Sequence, residues 1–138
     1  MPTLLEDKDA IRDLLAEYCF AFDNGQFERW IALFTEDGVF DVGGRLRLVG
    51  HEQLRAYVGK IPLTDGRPML KHCVMNELIR VDGDQAAIDS YLLVVQGAEK
   101  KLAVTIAGRY ADRVVRTPAG WRFAERKAFL DLSQKFGT

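Results

Sequence analysis

The sequence predicts an α+β domain in which three helices from the N-terminal half cover a curved, cone-shaped antiparallel sheet and enclose a pocket. Two observations lead to this architecture. Early in the chain apolar residues recur at helical spacing, and from Met69 onward they alternate with polar ones as in strands. We expect residues 1–138 to form one domain, because 138 residues that are 48% hydrophobic suffice for a single core.

The first helix is predicted over about residues 7–22. One helical face carries its apolar residues, which are Ile11, Leu14, Leu15, Tyr18 and Phe22. Asp7 or Asp9 is expected to cap or favour its start, and Asn24-Gly25 is expected to end it.

A shorter second helix is predicted to stop near residues 36–38. Its apolar positions are Phe27, Trp30, Ile31 and Phe34. Residues 39–42 and 45–49 are predicted to be strands on either side of the Gly43-Gly44 turn. A third helix is predicted after Gly50 by Leu54, Tyr57, Val58 and Ile61.

The second half of the chain predicts an antiparallel meander. Its strands are expected at about residues 69–81, 85–96, 101–116 and 121–132. The segments between them are rich in Gly, Asp and Pro and are short enough for hairpins.

Charge and composition exclude several classes of partner and cofactor. With 19 basic and 20 acidic residues and a net charge of −1, the chain has no basic surface for nucleic acid or an anionic membrane. Neither a signal peptide nor a membrane span is indicated, so we expect a cytoplasmic protein. Cys19 and Cys73 lack metal-ligand spacing and are expected to be free thiols. Without a metal-ligand cluster or a nucleotide-binding motif, we expect no metal and no cofactor.

Histidine is scarce, and this limits acid–base chemistry to few positions. The chain has 2 histidines, and only His72 lies in a predicted strand with an apolar face. Strand alternation puts His72, Val74, Asn76 and Leu78 on that face. Because imidazole exchanges protons near neutral pH, His72 is the first candidate for a catalytic base. His51 is expected at the surface, at the start of the third helix.

Residues 18–40 resemble the opening of the SnoaL-like branch of the nuclear transport factor 2-like superfamily. The resemblance continues through residues 50–54, the His72 strand, Gly108-Arg109-Tyr110 and residues 121–126, and so covers nearly the whole chain. It implies the cystatin-like α+β roll. That fold is shared by proteins of several activities, namely polyketide cyclases, scytalone dehydratase, hexachlorocyclohexane dehydrochlorinase, bile-acid 7α-dehydratase and non-catalytic binders. The fold therefore does not identify the activity.

The resemblance implies four catalytic positions. Asp23 and His72 match the aspartate–histidine pair of the dehydratases, Arg126 matches the pocket arginine of the dehydrochlorinase, and Tyr18 matches a functional tyrosine of the bile-acid enzyme. In this chemistry Asp23 orients the imidazole of His72, which removes a substrate proton. Arg126 and Tyr18 would stabilise negative charge on the substrate. We expect further substrate contacts from Asn76, Phe22, Trp30 and Val74.

Each position also has a structural alternative. Asp23 and Gln26 have capping-box spacing, so Asp23 could cap the second helix instead. Arg126 could serve only in a structural ion pair, and its candidate partners are Asp23, Asp41 and Glu77. Tyr18 lies in the apolar stripe of the first helix and could be a core residue.

These residues favour a cofactor-independent lyase, a dehydratase or related elimination enzyme, acting on a small and largely apolar cyclic compound. An isomerase with the same dyad and a non-catalytic protein for ligand binding or assembly are the alternatives. An enzyme requires Asp23 within hydrogen-bond distance of His72, and an open cavity that touches His72, Tyr18 and Arg126 together.

The outer face of the sheet is expected to be covered by another copy of the chain. Cys73, Met75 and Ile79 are predicted to lie on this face, which would then be too apolar to remain in water. The sequence therefore predicts a homo-oligomer, either a dimer or a trimer.

Overall fold

In the computed structural model, which describes residues 1–136, one 6-stranded sheet is covered by helices on its concave face. The helices are α1 (Leu4–Asp23), α2 (Phe27–Ile31) and α3 (His51–Val58). The strands are β1 (Phe34–Val42), β2 (Leu46–Val49), β3 (Leu70–Asp82), β4 (Gln85–Ala98), β5 (Lys101–Thr117) and β6 (Gly120–Ser133). The predicted α+β architecture is confirmed.

The sheet has the strand order β2-β1-β6-β5-β4-β3. Strands β3 to β6 pair antiparallel with their sequence neighbours, as the alternation from Met69 predicts. The pairing of β1 with β6 is parallel and brings Phe40 beside Arg126. Because these strands lie far apart in the chain, no local pattern predicts their pairing. β3 is left as an edge strand.

The start of α1 differs from the prediction. Thr3 is the N-cap, and it forms a capping box in which Glu6 N–H donates to Thr3 Oγ1 at 3.1 Å and Thr3 N–H donates to Glu6 Oε2 at 2.8 Å. Asp7 and Asp9 are therefore not the cap. The Asp7 carboxylate instead accepts two hydrogen bonds from Arg116 at 2.7 and 3.0 Å, which lower the pKa of Asp7 and tie α1 to the end of β5.

The second helix is shorter than predicted. It ends at Ile31, and Phe34 already belongs to β1, where it pairs with Phe123 of β6. Strand pairing within the sheet thus overrides the helical spacing of Phe34. The predicted apolar face of α1 is confirmed, since all five of its residues are buried.

A β-bulge in β3 changes which side chains face the core. The register shifts between Met75 and Leu78, and Asn76 has a φ of +60°. An extra residue in a strand reverses the alternation beyond it. Ile79 is therefore 7% exposed and lies in the core, while Leu78 is 64% exposed. The predictions that Ile79 faces outward and that Leu78 shares the His72 face are both wrong.

Candidate active site

The end of α1 sets the position of Asp23, which is its last residue and is buried. Asn24 is the C-cap, and its N–H donates to the Phe20 carbonyl at 3.1 Å. Gly25 then turns the chain with a φ of +72°, a conformation that favours glycine. A β-carbon at Gly25 would also overlap the carbonyl oxygen of Gly66. This tight turn holds the Asp23 carboxylate next to β3.

Asp23 and His72 form a dyad with two hydrogen bonds. The Asp23 Oδ1 atom lies 2.7 Å from His72 Nδ1, and Asp23 Oδ2 accepts the backbone N–H of His72 at 2.8 Å. A carboxylate at a helix C-terminus opposes the helix dipole, and these donors offset that cost. The N-cap of α2 is Gln26, which has no side-chain cap bond. Asp23 is thus engaged with His72 and does not cap the second helix.

This geometry fixes the imidazole tautomer. The Asp23 carboxylate accepts a hydrogen bond from Nδ1–H, so Nε2 of neutral His72 carries the lone pair. No residue within the described part of the chain hydrogen-bonds Nε2. The ring is held edge-on by Phe22 and Tyr18, with centroid distances of 5.2 and 6.1 Å, and its side chain stays 13% exposed. Nε2 is free to accept a proton.

Arg126 lies deeper in the molecule than the catalytic hypothesis requires. Its side chain is 0% exposed, and its Nε atom is 3.1 Å from Oδ1 of Asp112, which is equally buried. The guanidinium carbon lies 3.4 and 4.2 Å from the ring centroids of Tyr110 and Tyr18, two rings that meet edge to face. Arg126 therefore pairs with Asp112 and with none of the three partners considered from the sequence.

Tyr18 belongs to the same buried cluster. It is 2% exposed, and its ring also contacts Trp30 and Phe123 at centroid distances of 5.7 and 5.6 Å. Burial raises the pKa of Tyr18 well above its ordinary value, so the phenol keeps its proton. Among the described residues, neither Tyr18 nor Arg126 lines a cavity at the dyad, because aromatic side chains fill the space around them, so the requirement for a cavity touching His72, Tyr18 and Arg126 together is not met.

The predicted substrate contacts are only partly brought together. Phe22 packs on His72 and on the fully buried Trp30, and Val74 packs against the core beside His72. Asn76 lies at the bulge, exposed, in a cleft with Arg109 and Tyr91 on the outer side of the sheet. The extra residue in β3 removes Asn76 from the face that carries His72.

Two cavities lie near the dyad. One of about 260 Å³, between α1 and β3, is lined by His72, Val74 and Cys19. Another of about 310 Å³ is lined by Asp23, Leu70 and the segment that precedes β3. Both are large enough for a small molecule to approach the dyad from outside the packed core.

Sequence reasoning missed Asp112, although a signal for it is present. Tyr110, Asp112 and Val114 alternate along β5, and this spacing places all three on the buried face. Burial raises the pKa of Asp112 to about 7, against the opposing charge of Arg126.

Residues 1–136 contain neither a cluster of metal ligands nor a membrane-spanning helix. No group of three or more His, Cys, Asp or Glu side chains there could hold a metal ion. No helix in that range is long and apolar enough to cross a bilayer.

The chain is similar to a protein family and to several known proteins. Residues 3–127 match the model of a family described as the SnoaL-like domain. A solved structure of an NTF2-like protein with a cystatin-like fold from Novosphingobium aromaticivorans is 27% identical. It covers 98% of this chain and 86% of its own, with a TM-score of 0.82.

Two protein relatives are also similar over most of the chain. The anthranilate 1,2-dioxygenase small subunit of Burkholderia cepacia is 27% identical over 156 residues, which cover 97% of this chain and 94% of that protein. An uncharacterised protein of Mycobacterium tuberculosis is 26% identical over 125 residues, which cover 88% of this chain and 84% of that protein.

Proposed function

The chain belongs to the SnoaL-like domain family, and from that membership together with the Asp23–His72 geometry we propose that it is a cofactor-independent lyase. In this proposal His72 removes a proton from a small, largely apolar cyclic compound, and water or a related group is eliminated. The observation that carries the proposal is the 2.7 Å contact between Asp23 Oδ1 and His72 Nδ1, which leaves Nε2 without a partner among the described residues.

The proposed elimination balances without an external acid. Nε2 of His72 takes a proton from a carbon next to a carbonyl group, and the C–H electron pair becomes the new double bond. The C–O bond to the neighbouring hydroxyl breaks, and the imidazolium returns its proton to that oxygen, so that water leaves. Asp23 stabilises the imidazolium between these steps. An isomerase would return the proton to another carbon instead.

Of the two conditions set from the sequence, the dyad contact is met but the cavity shared by His72, Tyr18 and Arg126 is not, so the proposal keeps the dyad alone and changes the roles of Arg126 and Tyr18. Both are buried away from the cavities that the dyad lines, so neither contacts substrate in this arrangement. The proton on the His72 imidazolium then has to neutralise the departing oxygen. We expect Arg126 and Tyr18 to support the dyad through packing alone.

Proton exchange in heavy water tests the proposal without knowledge of the natural substrate. We expect the wild-type protein to exchange the α-proton of small cyclic β-hydroxyketones, or to eliminate water from them, as followed by proton NMR. His72→Gln should lower the rate by roughly 100-fold to 10,000-fold, the usual contribution of a general base. His51→Gln is the matched control, because the His51 Nε2 atom hydrogen-bonds the Phe34 carbonyl at 2.9 Å and His51 does not line the cavities at the dyad. Equal rates for the wild type and His72→Gln would contradict the proposal.

A non-catalytic assembly subunit is the second candidate. The aromatic packing of the interior favours it, and the relative from Burkholderia cepacia is named as a small subunit of a dioxygenase. This candidate predicts no proton exchange by the wild type with any of the β-hydroxyketones.

We further propose that the outer face of the sheet is covered in a homo-oligomer. Ile79 does not contribute, since it is buried, but two rows across the sheet are largely apolar. One row joins Met75, Tyr91, Arg109 and Phe129, and the next joins Cys73, Leu93, Ala107 and Leu132. Tyr91 and Leu132 are 60% and 71% exposed. A largely apolar sheet face of this kind, interrupted by Arg109, favours association with a second copy.

Tyr91→Glu is expected to shift the protein toward monomer, because the new carboxylate would have to be buried in the interface. Sedimentation velocity measures this shift. The control is Leu5→Glu, because Leu5 is an exposed apolar residue on α1, away from the sheet face, and this variant should leave the mass unchanged. A wild-type protein that sediments as a monomer would refute the oligomer.

A further inference from the structure

A third cavity, of about 380 Å³, opens at the mouth of the concave face. Arg45, in the hairpin between β1 and β2, and Gln96 on β4 both line it. Strands β6 and β5 lie between these elements in the sheet. The curvature of the sheet therefore lets Arg45 and Gln96 line the same cavity on its concave side.

The lining of this mouth cavity is mixed: two residues are basic, two are apolar and the others are polar and uncharged, namely Arg45 and Lys135, Ile106 and Leu130, and Gln96, Thr105, Ser133 and Gln134. Ile106 and Leu130 provide apolar surface, and Ile106 also packs against the core. Arg45 forms no ion pair and Gln96 no side-chain hydrogen bond with any residue in the described range. No acidic side chain is among the described residues that line the cavity. A site of this character suits a small apolar body that carries a negative charge.

The mouth cavity begins one diagonal step from the dyad. His72 pairs with Val94 on β4, and Gln96 lies two residues further along the same face, opposite Leu70. Diagonal neighbours of this kind are about 7–8 Å apart. A ring held beside Gln96 would therefore lie on the side of the sheet that carries His72.

We infer that Arg45 and Gln96 bind the acid group of a small cyclic carboxylate, and that the mouth cavity is the specificity pocket of the dyad. The inference rests on the proposed function, because it assumes that the bound ring is presented to His72. A planar guanidinium matches a carboxylate with two parallel hydrogen bonds, and the Gln96 amide can donate a third. Ile106 and Leu130 would hold the ring in place by apolar contact.

Calorimetric titration with benzoate tests the site. The neutral analogue, benzyl alcohol, has the same ring without the acid group. We expect Arg45→Gln to weaken benzoate binding roughly ten-fold to one-hundred-fold, the usual contribution of hydrogen bonds to a charged group. Arg47→Gln is the matched control from the same hairpin, since Arg47 is paired with Asp41 at 3.0 Å. It should bind benzoate like the wild type.

The contradicting outcomes are distinct from those of the exchange experiment. Absence of saturable benzoate binding, equal binding by Arg45→Gln and wild type, or equal binding of benzyl alcohol and benzoate would overturn the carboxylate site. None of these results bears on proton transfer by His72.

An NMR experiment tests whether the bound ring lies beside the dyad. In the His51→Gln background the only remaining histidine signal is that of His72. A nuclear Overhauser contact from benzoate to that ring is expected, and its absence would separate the cavity from the dyad.

Discussion

Asp112→Val is expected to destabilise the protein by about 3–5 kcal/mol, the usual cost of leaving one member of a buried ion pair without its partner. The side chains of Asp112 and Arg126 are both 0% exposed, so the guanidinium lies away from solvent and depends on Asp112 for charge compensation. Arginine keeps its charge at every accessible pH. The cation–π contacts of the guanidinium with Tyr18 and Tyr110 offset only part of the lost charge compensation.

Arg126→Met is expected to cost less, because Asp112 can take up a proton. Combining Asp112→Val with Arg126→Met should recover most of the stability, since an apolar pair needs no charge compensation. Urea unfolding of the wild type and the three variants measures these differences. If the double variant loses as much free energy of unfolding as the two single variants together, the two residues act independently and the proposed coupling is wrong.

The same pair gives the stability a pH dependence of known sign. Burial raises the pKa of Asp112 to about 7, whereas an unfolded aspartate has a pKa of about 3.9. Between these values the folded protein holds a proton that the unfolded chain releases. The free energy of unfolding should therefore fall as the pH rises from about 4 to about 7. This part of the pH profile should be absent in Asp112→Val.

Gly108→Ala is expected to destabilise the protein by about 3 kcal/mol, the upper end of the range for an overpacked core. A β-carbon at Gly108 would overlap the carbonyl oxygen of Phe129 and would lie 3.4 Å from the Cα atom of Leu130. The register of β5 against β6 also shifts between Ala107 and Arg109, and the absence of a β-carbon at Gly108 lets the two backbones approach there.

Gly97→Ala is the matched control for this substitution. Gly97 is also a strand glycine, but its β-carbon would meet the Lys101 carbonyl oxygen at 3.4 Å, an ordinary contact. Chemical denaturation should show little change for Gly97→Ala. If both variants lose equal stability, the effect is one of strand propensity and not of the contact with Phe129. Because Leu130 lines the mouth cavity, Gly108→Ala should also weaken benzoate binding.

Local periodicity predicted those parts of the fold that depend on local interactions. The buried face of α1 and the long strands after Met69 follow from spacing alone, because each element has one side in the core. The bulge at Asn76 could not be predicted in this way, since an extra residue leaves no mark in the composition of a strand. Its effect was to exchange the positions of Leu78 and Ile79.

The proximity of Asp23 and His72 was predicted from resemblance, whereas the partner of Arg126 was not. A second register shift, between Arg113 and Val114 of β5, places Arg126 on the same side as Phe123 and opposite Asp112. Such long-range pairings depend on the order of strands in the sheet, which single-sequence patterns do not encode. The mouth cavity depends in the same way on the parallel pairing of β1 and β6.

The backbone hydrogen bond from His72 to Asp23 has a consequence for aggregation. β3 is an edge strand, and an open edge invites pairing with a strand of another molecule. The Asp23 carboxylate accepts a hydrogen bond from one of the outward N–H groups of that edge, that of His72, and places a negative charge beside it. Removal of the Asp23 side chain would leave this N–H group of the edge strand without its partner. It would also remove the hydrogen bond that orients the His72 imidazole. The solubility of Asp23 variants thus reports on edge protection, separately from any effect on turnover.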